Sequence, residues 1–487
     1  MAEAIRIGIG IEGCASQLVD NFVAAMALVA GSFEAREARA LELGNELVRR
    51  WIEQELQSVA QQFDEEVIVN GERYRRHDRG ARRYHTLCGP VVVQRESYRL
   101  VGIHNGPTVV PLELRAGLVE NATPALAFSV TQGFAERPLR HYEVEMRAAH
   151  RHAPSRSTLE RIGKRIGKAI QAMVVDVEPT VREAEPLVEN VHSMSFGLDR
   201  TTVPMAELVE GATRREPRIR RAPPPVTVAY RMAYVGTVST HDDEGRVLVT
   251  KRFAATPQEG ADELVDRIGG ELRHLHARHG ALPLTAVQDG APELWNLVER
   301  LRERHGLAPD HELIDRFHVD ERLAEVCELV TSDARGGWKL RDAWGSYLNR
   351  SDTAIERIIR RLDQLFWHLQ FGSTDGDPAP PFWRTRSPRQ ISAEKQRIVS
   401  GHLEYFRNNR HRIRYATSRR CGLPIGSGPT EGACKSVVTM RFKRSGQRWF
   451  ESGLSPCLSL RALHLSERLQ PCFAKLQAAR FATLRAA

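Results

Sequence analysis

Between residues 190 and 320 the hydrophobic pattern switches repeatedly between two periods, and that run constrains the fold more than any other feature. VHSMSFGLDRT, VTVAYRMAYVGTV and RVLVTKRFAA have strand character, and the last two read as a hairpin joined by STHDDEG. Helical DELVDRIGGELRHLHARHG follows, then strand LPLTAVQD, helix PELWNLVERLRERHG and strand HELIDRFHV. A β-β-β-α-β-α-β order predicts an α/β domain built on a mixed sheet, with its first and fourth strands side by side.

That order suits a ribonuclease-H-like sheet, and it bears on three acids. Asp199 and Asp289 stand at or near the ends of apolar runs, where a buried strand delivers a side chain to the rim of a sheet. Glu431 follows Gly428 and Pro429, which place it in the first turn of a helix over ACKSVVTM. Taken singly, each has an ordinary explanation: a turn-forming Asp, an Asp-Gly turn, or a Glu that complements a helix dipole or pairs with Lys435. Together they read as a nuclease-type site, because hard divalent cations take oxygen ligands and a pair of them can activate water and stabilise a leaving oxygen on phosphorus.

Wording across this half of the chain favours the joint reading. GLDRTTVPM, QDGAPELWNLVERL, IDRFHVDERL, YFRNNRHRIRY and GLPIGSGPTEGACKSVV…RFKRSGQRW, in that order, resemble the ISKra-type bacterial insertion-sequence transposases, a DDE family related to the Mutator-like transposases. The resemblance spans about residues 190–465, with a weaker echo in RRYHTLCGPVVVQRESYR, and IGSGPTEGACK is its most specific part. It implies that Asp199, Asp289 and Glu431 form the DDE triad and hold two Mg²⁺ or Mn²⁺ ions. The intervals are 289 − 199 = 90 and 431 − 289 = 142 residues, and the second leaves room for the helical insertion such enzymes carry. The string DRFH matches the [C/D]xxH signature of the relatives, which puts Asp315 and His318 near the scissile phosphate. The first motif departs from the family, reading LDRTT where an Asp-Gly-Thr string is expected, so Arg200 adjoins the first acid.

The implied activity is transposition: hydrolysis at the element's ends, then transfer of the freed 3′-hydroxyl into target DNA. Its partners are double-stranded DNA, as terminal inverted repeats and as target, and synapsis of two ends implies at least a homodimer. A non-catalytic DNA-binding protein derived from such an element, or a metal-dependent nuclease without strand transfer, are the competing readings.

Charge agrees with a polyanionic partner. The chain has 70 Lys and Arg against 61 Asp and Glu, a net +9, concentrated in GERYRRHDRGARRYH, TRREPRIRR and YFRNNRHRIRYATSRR. The last interleaves Tyr405, Phe406 and Tyr415, candidates for stacking on unpaired bases. SRSTLERIGKRIGKAI opens with a capping-box pattern, Ser157 to Glu160, and suggests a helix-turn-helix-like unit whose second helix carries Arg161, Lys164, Arg165 and Lys168. Arg410, Arg412, Arg414, Lys435, Arg441 and Lys443 are further candidate DNA contacts.

Seven cysteines without CxxC spacing argue against a zinc ribbon or disulfide framework and for a reducing cytoplasm. No stretch has the pattern of a signal peptide or a membrane span, so a cytoplasmic protein is expected. GIGIEG matches GxGxxG at Gly8, Gly10 and Gly13 but lacks a following βαβ unit. On a helix His274 and His276 of HLHARHG point apart, which disfavours zinc. The expected organisation is a helical segment over 1–63, a small basic β-rich domain over 64–118, a helical segment and linker over 119–188, the catalytic domain over 189–470 with a helical insertion over about 320–415, and a tail over 471–487.

Overall fold

A computed structural model describes residues 17, 19–27, 29–209, 225–331, 334–371 and 392–486. Over these residues the protein is mixed α/β, with two five-stranded sheets and many helices. It divides into two compact units, Met1–Ile166 with Phe473–Ala487, and Gly167–Cys472. TRREPRIRR, GIGIEG, Cys14, Trp383 and residues 372–381 lie outside the described residues.

The first unit begins with helix α1 (Phe33–Ala60), whose N-cap Ser32 accepts a hydrogen bond from the Ala35 amide. Strands β1 (Glu66–Val69), β2 (Glu72–Thr86), β3 (Gly89–Leu100) and β4 (Thr108–Val109) follow, then helices α2 (Pro111–Arg115), α3 (Pro124–Glu136) and α4 (Leu139–Ala148). Leu56 and Ala60 of α1 pack with Tyr84, Val91 and Val93 of the sheet. Helix α5 (Arg156–Ala184) starts two residues earlier than the Ser157 capping box predicts. Ser155 takes the capping role instead, its hydroxyl accepting from the Thr158 amide. Arg161 pairs with Glu120, Lys164 pairs with Glu160, and Arg165 is exposed.

The second unit carries the run of alternating periods. Strands β5 (Ser193–Leu208), β6 (Val226–His241) and β7 (Val247–Ala255), helix α6 (Asp262–His279), strand β8 (Leu284–Gln288), helix α7 (Pro292–His305) and strand β9 (His311–Ile314) reproduce the expected order. The sheet runs β7-β6-β5-β8-β9; β5 and β6 pair antiparallel, as do β6 and β7, whereas β8 is parallel to both β5 and β9. Two boundaries differ from expectation. β5 continues past Asp199 to Leu208, because antiparallel pairing with β6 persists where its parallel neighbour has ended. β9 stops at Ile314, because the Asp315 side chain accepts from the Phe317 amide and starts a helix.

Helices α8 (Arg316–Val330), α9 (Ala334–Leu348), α10 (Ala354–Phe371) and α11 (Ala393–Asn409) make the region after β9 largely helical. Their apolar faces join α6 and α7 in one core with Phe196 and Leu198 of β5. Phe406 and Tyr415 are fully buried in that core, so they are packing residues and offer no face to a base. Helix α12 (Tyr415–Arg420) leads to α13 (Gly428–Ala433), which continues through a π-helical stretch, Cys434–Thr439, into α14 (Met440–Phe442). Helix α15 (Glu451–Leu465) precedes α16 (Leu469–Ala482) and strand β10 (Leu484–Ala486). β10 belongs to the first unit, where it pairs antiparallel with β1 and supplies the partner an edge strand needs. Residues expected as a tail are therefore helix and strand.

A buried ionic knot ties α5, α6, β7 and the α15–α16 turn together within the second unit. Arg468 bonds Glu271 and Glu185, Arg182 bonds Glu271 and Glu178, Arg267 bonds Glu178, and Lys251 bonds Glu185. Among the described residues no helix is long and apolar enough to cross a membrane.

Candidate functional site

Strand register brings three acids into one row. Phe196 of β5 pairs with Ala286 of β8, and Gln288 of β8 with Ile314 of β9. Continuing each ladder sets Asp199 level with Asp289 and Asp289 level with Asp315. Beyond the last backbone pair the Leu198 amide donates to the Gln288 side chain, at Oε1, at 2.8 Å, and the Asp315 amide donates to the Gln288 carbonyl at 2.7 Å. The row follows the carboxyl ends of β8 and β9, the side of a parallel sheet on which α/β proteins place their ligands.

Glu431 comes close to Asp315, and the residue before it packs against β5. Gly197, two positions before Asp199 and on its face of the strand, has no side chain, and Thr430 occupies the space; a Cβ on Gly197 would overlap Thr430 Oγ1. Thr430 Oγ1 is also 2.7 Å from Thr237 Oγ1, and Thr237 is the register partner of Gly197. One turn on, Cys434 Sγ donates to Asp199 Oδ2 at 3.2 Å, while Asp199 Oδ1 accepts from the Arg200 amide at 2.6 Å. Burial pushes the Cys434 thiol far up, and the adjacent Asp199 charge adds to it, so the thiol stays a donor. The π-helical stretch begins at this cysteine; such stretches recur at functional sites.

Arg200 does not crowd the first acid. Alternation along β5 sends it to the opposite face, where it pairs with Glu293 in the first turn of α7. Asp289 retains some of the turn role considered for it: Oδ1 accepts from the Ala291 amide at 2.6 Å, and its carbonyl accepts from Trp295 Nε1 at 2.9 Å. Asp315 is buried; it caps α8 through Oδ1, and its Oδ2 accepts from the Ser427 amide and hydroxyl, fastening α8 to the start of α13.

Among the described residues, the group whose ligand atoms all lie within 4.8 Å of one another is Asp315, His318 and Glu431. His318 Nε2 is 3.9 Å from Glu431 Oε1, and Nδ1 is 3.4 Å from Glu321. Asp199 and Asp289 stand outside that group. Among the described residues the three histidines of HLHARHG join no such group.

The basic candidates separate by environment. Arg410, Arg414 and Lys435 are exposed. Arg412 bonds Glu312 at 2.9 Å and lies 3.6 Å from the Trp295 ring centre. Lys443 donates to Thr201 Oγ1 at 2.6 Å, just beyond Asp199 on β5. Arg441 is 2 % exposed and stacked against Trp449 at 4.9 Å, so it is a packing residue in this conformation. Sequence patterns passed over Thr430 and Cys434. Gly197, alone inside a strand pattern, was a signal of close approach.

No protein-family model and no curated protein matches the chain. Among solved structures it aligns with a Drosophila P element transposase strand transfer complex at 14% identity and a TM-score of 0.30, over 71% of this chain and 92% of that chain.

Proposed function

We propose that the second unit is a ribonuclease-H-like catalytic domain and that the protein is a DDE transposase. The reading rests on the β5–β8 register, which continued three residues past Phe196–Ala286 would bring Asp199 level with Asp289, and on the Thr430–Gly197 contact next to Glu431. The strand order β7-β6-β5-β8-β9, with its second strand antiparallel to the central one, supports the same reading.

Carboxylate oxygens suit a hard divalent ion, and beside Glu431 the group with Asp315 and His318 offers two carboxylates and one imidazole. Asp199, Asp289 and Glu431 would hold Mg²⁺ or Mn²⁺, which supplies Lewis acidity and nucleophile activation in phosphodiester cleavage. The chain's own contribution is placement. Cys434 and the Arg200 amide fix the Asp199 carboxylate, and the Ala291 amide fixes Asp289. His318 is placed to donate a hydrogen bond or pass a proton beside Glu431. Exposed arginines and lysines would hold DNA through its phosphates, apart from the acids.

The test is DNA from the boundaries of the native locus, incubated in Mn²⁺ or EDTA with wild type and Glu431→Gln, with new 3′ ends and joined products mapped. Metal-dependent cleavage and joining, both lost in the variant, is the expected result. Cleavage without joining would make the protein a nuclease. Equal binding by both proteins with no cleavage would make it a DNA-binding derivative.

A further inference from the structure

Beside the Asp289 and Asp315 end of the row lie a cation and a hydroxyl that none of the functions above uses. Helix α8 carries Asp315 at its cap, His318 in its first turn and Arg322 one turn further, spacings that share a helix face. Arg322 is half-buried, and among the described residues no carboxylate lies within ion-pair distance of it. Its guanidinium carbon is 3.8 Å from the ring centre of Tyr405 on α11. The Tyr405 ring presses on the Asp289–Gly290 turn so closely that a Cβ on Gly290 would overlap it.

The Tyr405 hydroxyl is buried and among the described residues has no hydrogen-bond partner of sound geometry, since the guanidinium covers the ring face. A half-buried guanidinium without a counter-ion and a buried donor without an acceptor are both costly unless an external group completes them.

We propose that Arg322 and the Tyr405 hydroxyl receive one phosphate group of a nucleic acid strand, next to Asp289 and Asp315. This deepens the phosphoryl-transfer reading and rests on it. A row of carboxylates repels a phosphodiester, and a cation seated at its margin offsets that charge while fixing the strand. Arg suits the task because its planar fork matches two phosphate oxygens.

The experiment measures binding of a mixed-sequence DNA duplex by fluorescence anisotropy over a salt series, in Ca²⁺, for wild type, Arg322→Gln, Arg322→Lys and Tyr405→Phe. Losing one phosphate contact reduces the slope of log K against log salt by about 0.9. Arg322→Gln should show that reduction and Arg322→Lys should not. Tyr405→Phe, which keeps the ring on Gly290, should retain the slope and weaken binding about threefold to tenfold. An unchanged slope in Arg322→Gln, with salt-dependent binding by wild type, overturns the pair and leaves the functional reading standing. A wild type that binds no duplex overturns both. If Arg322→Gln loses its fold by thermal melting, Tyr405→Phe decides, and unchanged affinity there overturns the proposal.

Discussion

Thr430 occupies the space in which a side chain on Gly197 would lie, and it bonds Thr237 on the neighbouring strand. This contact, more than any feature of Glu431 itself, sets where that glutamate stands relative to Asp199. Helix and sheet here are in register with one another, residue against residue.

Gly197→Ala should therefore damage the site more than the fold. Gly197 does not have a positive φ, so the effect is steric. Overpacking of this kind costs about 1–3 kcal/mol. Thermal unfolding should show a modest loss, and a cleavage assay a much larger one, because α13 must move off the sheet. A variant that cleaves like wild type would mean that Glu431 is placed by something else.

Cys434 holds one oxygen of Asp199. Cys434→Ser keeps a donor and should retain most activity, whereas Cys434→Val fills the space without one and should lower cleavage about tenfold, equivalent to about 1.4 kcal/mol. Comparing the two variants by initial cleavage rate separates the hydrogen bond from the packing.

His318→Ala should slow strand cleavage by about 10²-fold while end binding is unchanged, the size expected for a positioned proton-transfer group. Equal loss of binding and cleavage in gel-shift and nicking assays would remove His318 from the chemistry.

The ionic knot governs stability, and its pH dependence follows from Glu185. Burial raises the titration of that carboxyl, but Arg468 and Lys251 more than offset it, leaving it at about 2. Its folded value lies below the ordinary 4.5, so the stability it contributes is present above about pH 4.5 and is lost as pH falls toward 2. That contribution is at most about 3 kcal/mol. Acid titration followed by circular dichroism should show a steeper loss in wild type than in Glu185→Gln across this window. At neutral pH, Arg468→Met takes one of two cationic partners from buried Glu271 and from partly buried Glu185, and should cost about 3 kcal/mol in denaturant unfolding, the low end for breaking a buried pair.

The strand order was legible because each segment from Ser193 to Ile314 carries its own period, and the acids at Asp199 and Asp289 were legible because both interrupt apolar runs. Their common level was implicit in a spacing of 289 − 199 = 90 residues, equal to the β5–β8 register offset of 286 − 196 = 90. Three things were not legible. Asp315 is fastened to Ser427, more than a hundred residues on, and nothing local to either residue announces a partner. Arg441 and Phe406 read as surface and stacking residues, yet tertiary packing buries both. β10 has no pattern of its own and exists because β1 offers it an edge.

The docking of Thr430 on Gly197 also orders events in time. A growing polypeptide emerges with Asp199 and Asp289 well before Glu431, the last of the set by 431 − 289 = 142 residues. Until that late helix exists, the strands present two carboxylates and an empty glycine seat. If the acids cut DNA, a half-made copy on the ribosome is chemically silent, and so is any chain that stops short of Glu431. A shortened chain would then keep the exposed cations of the first unit and lack a complete set of acids.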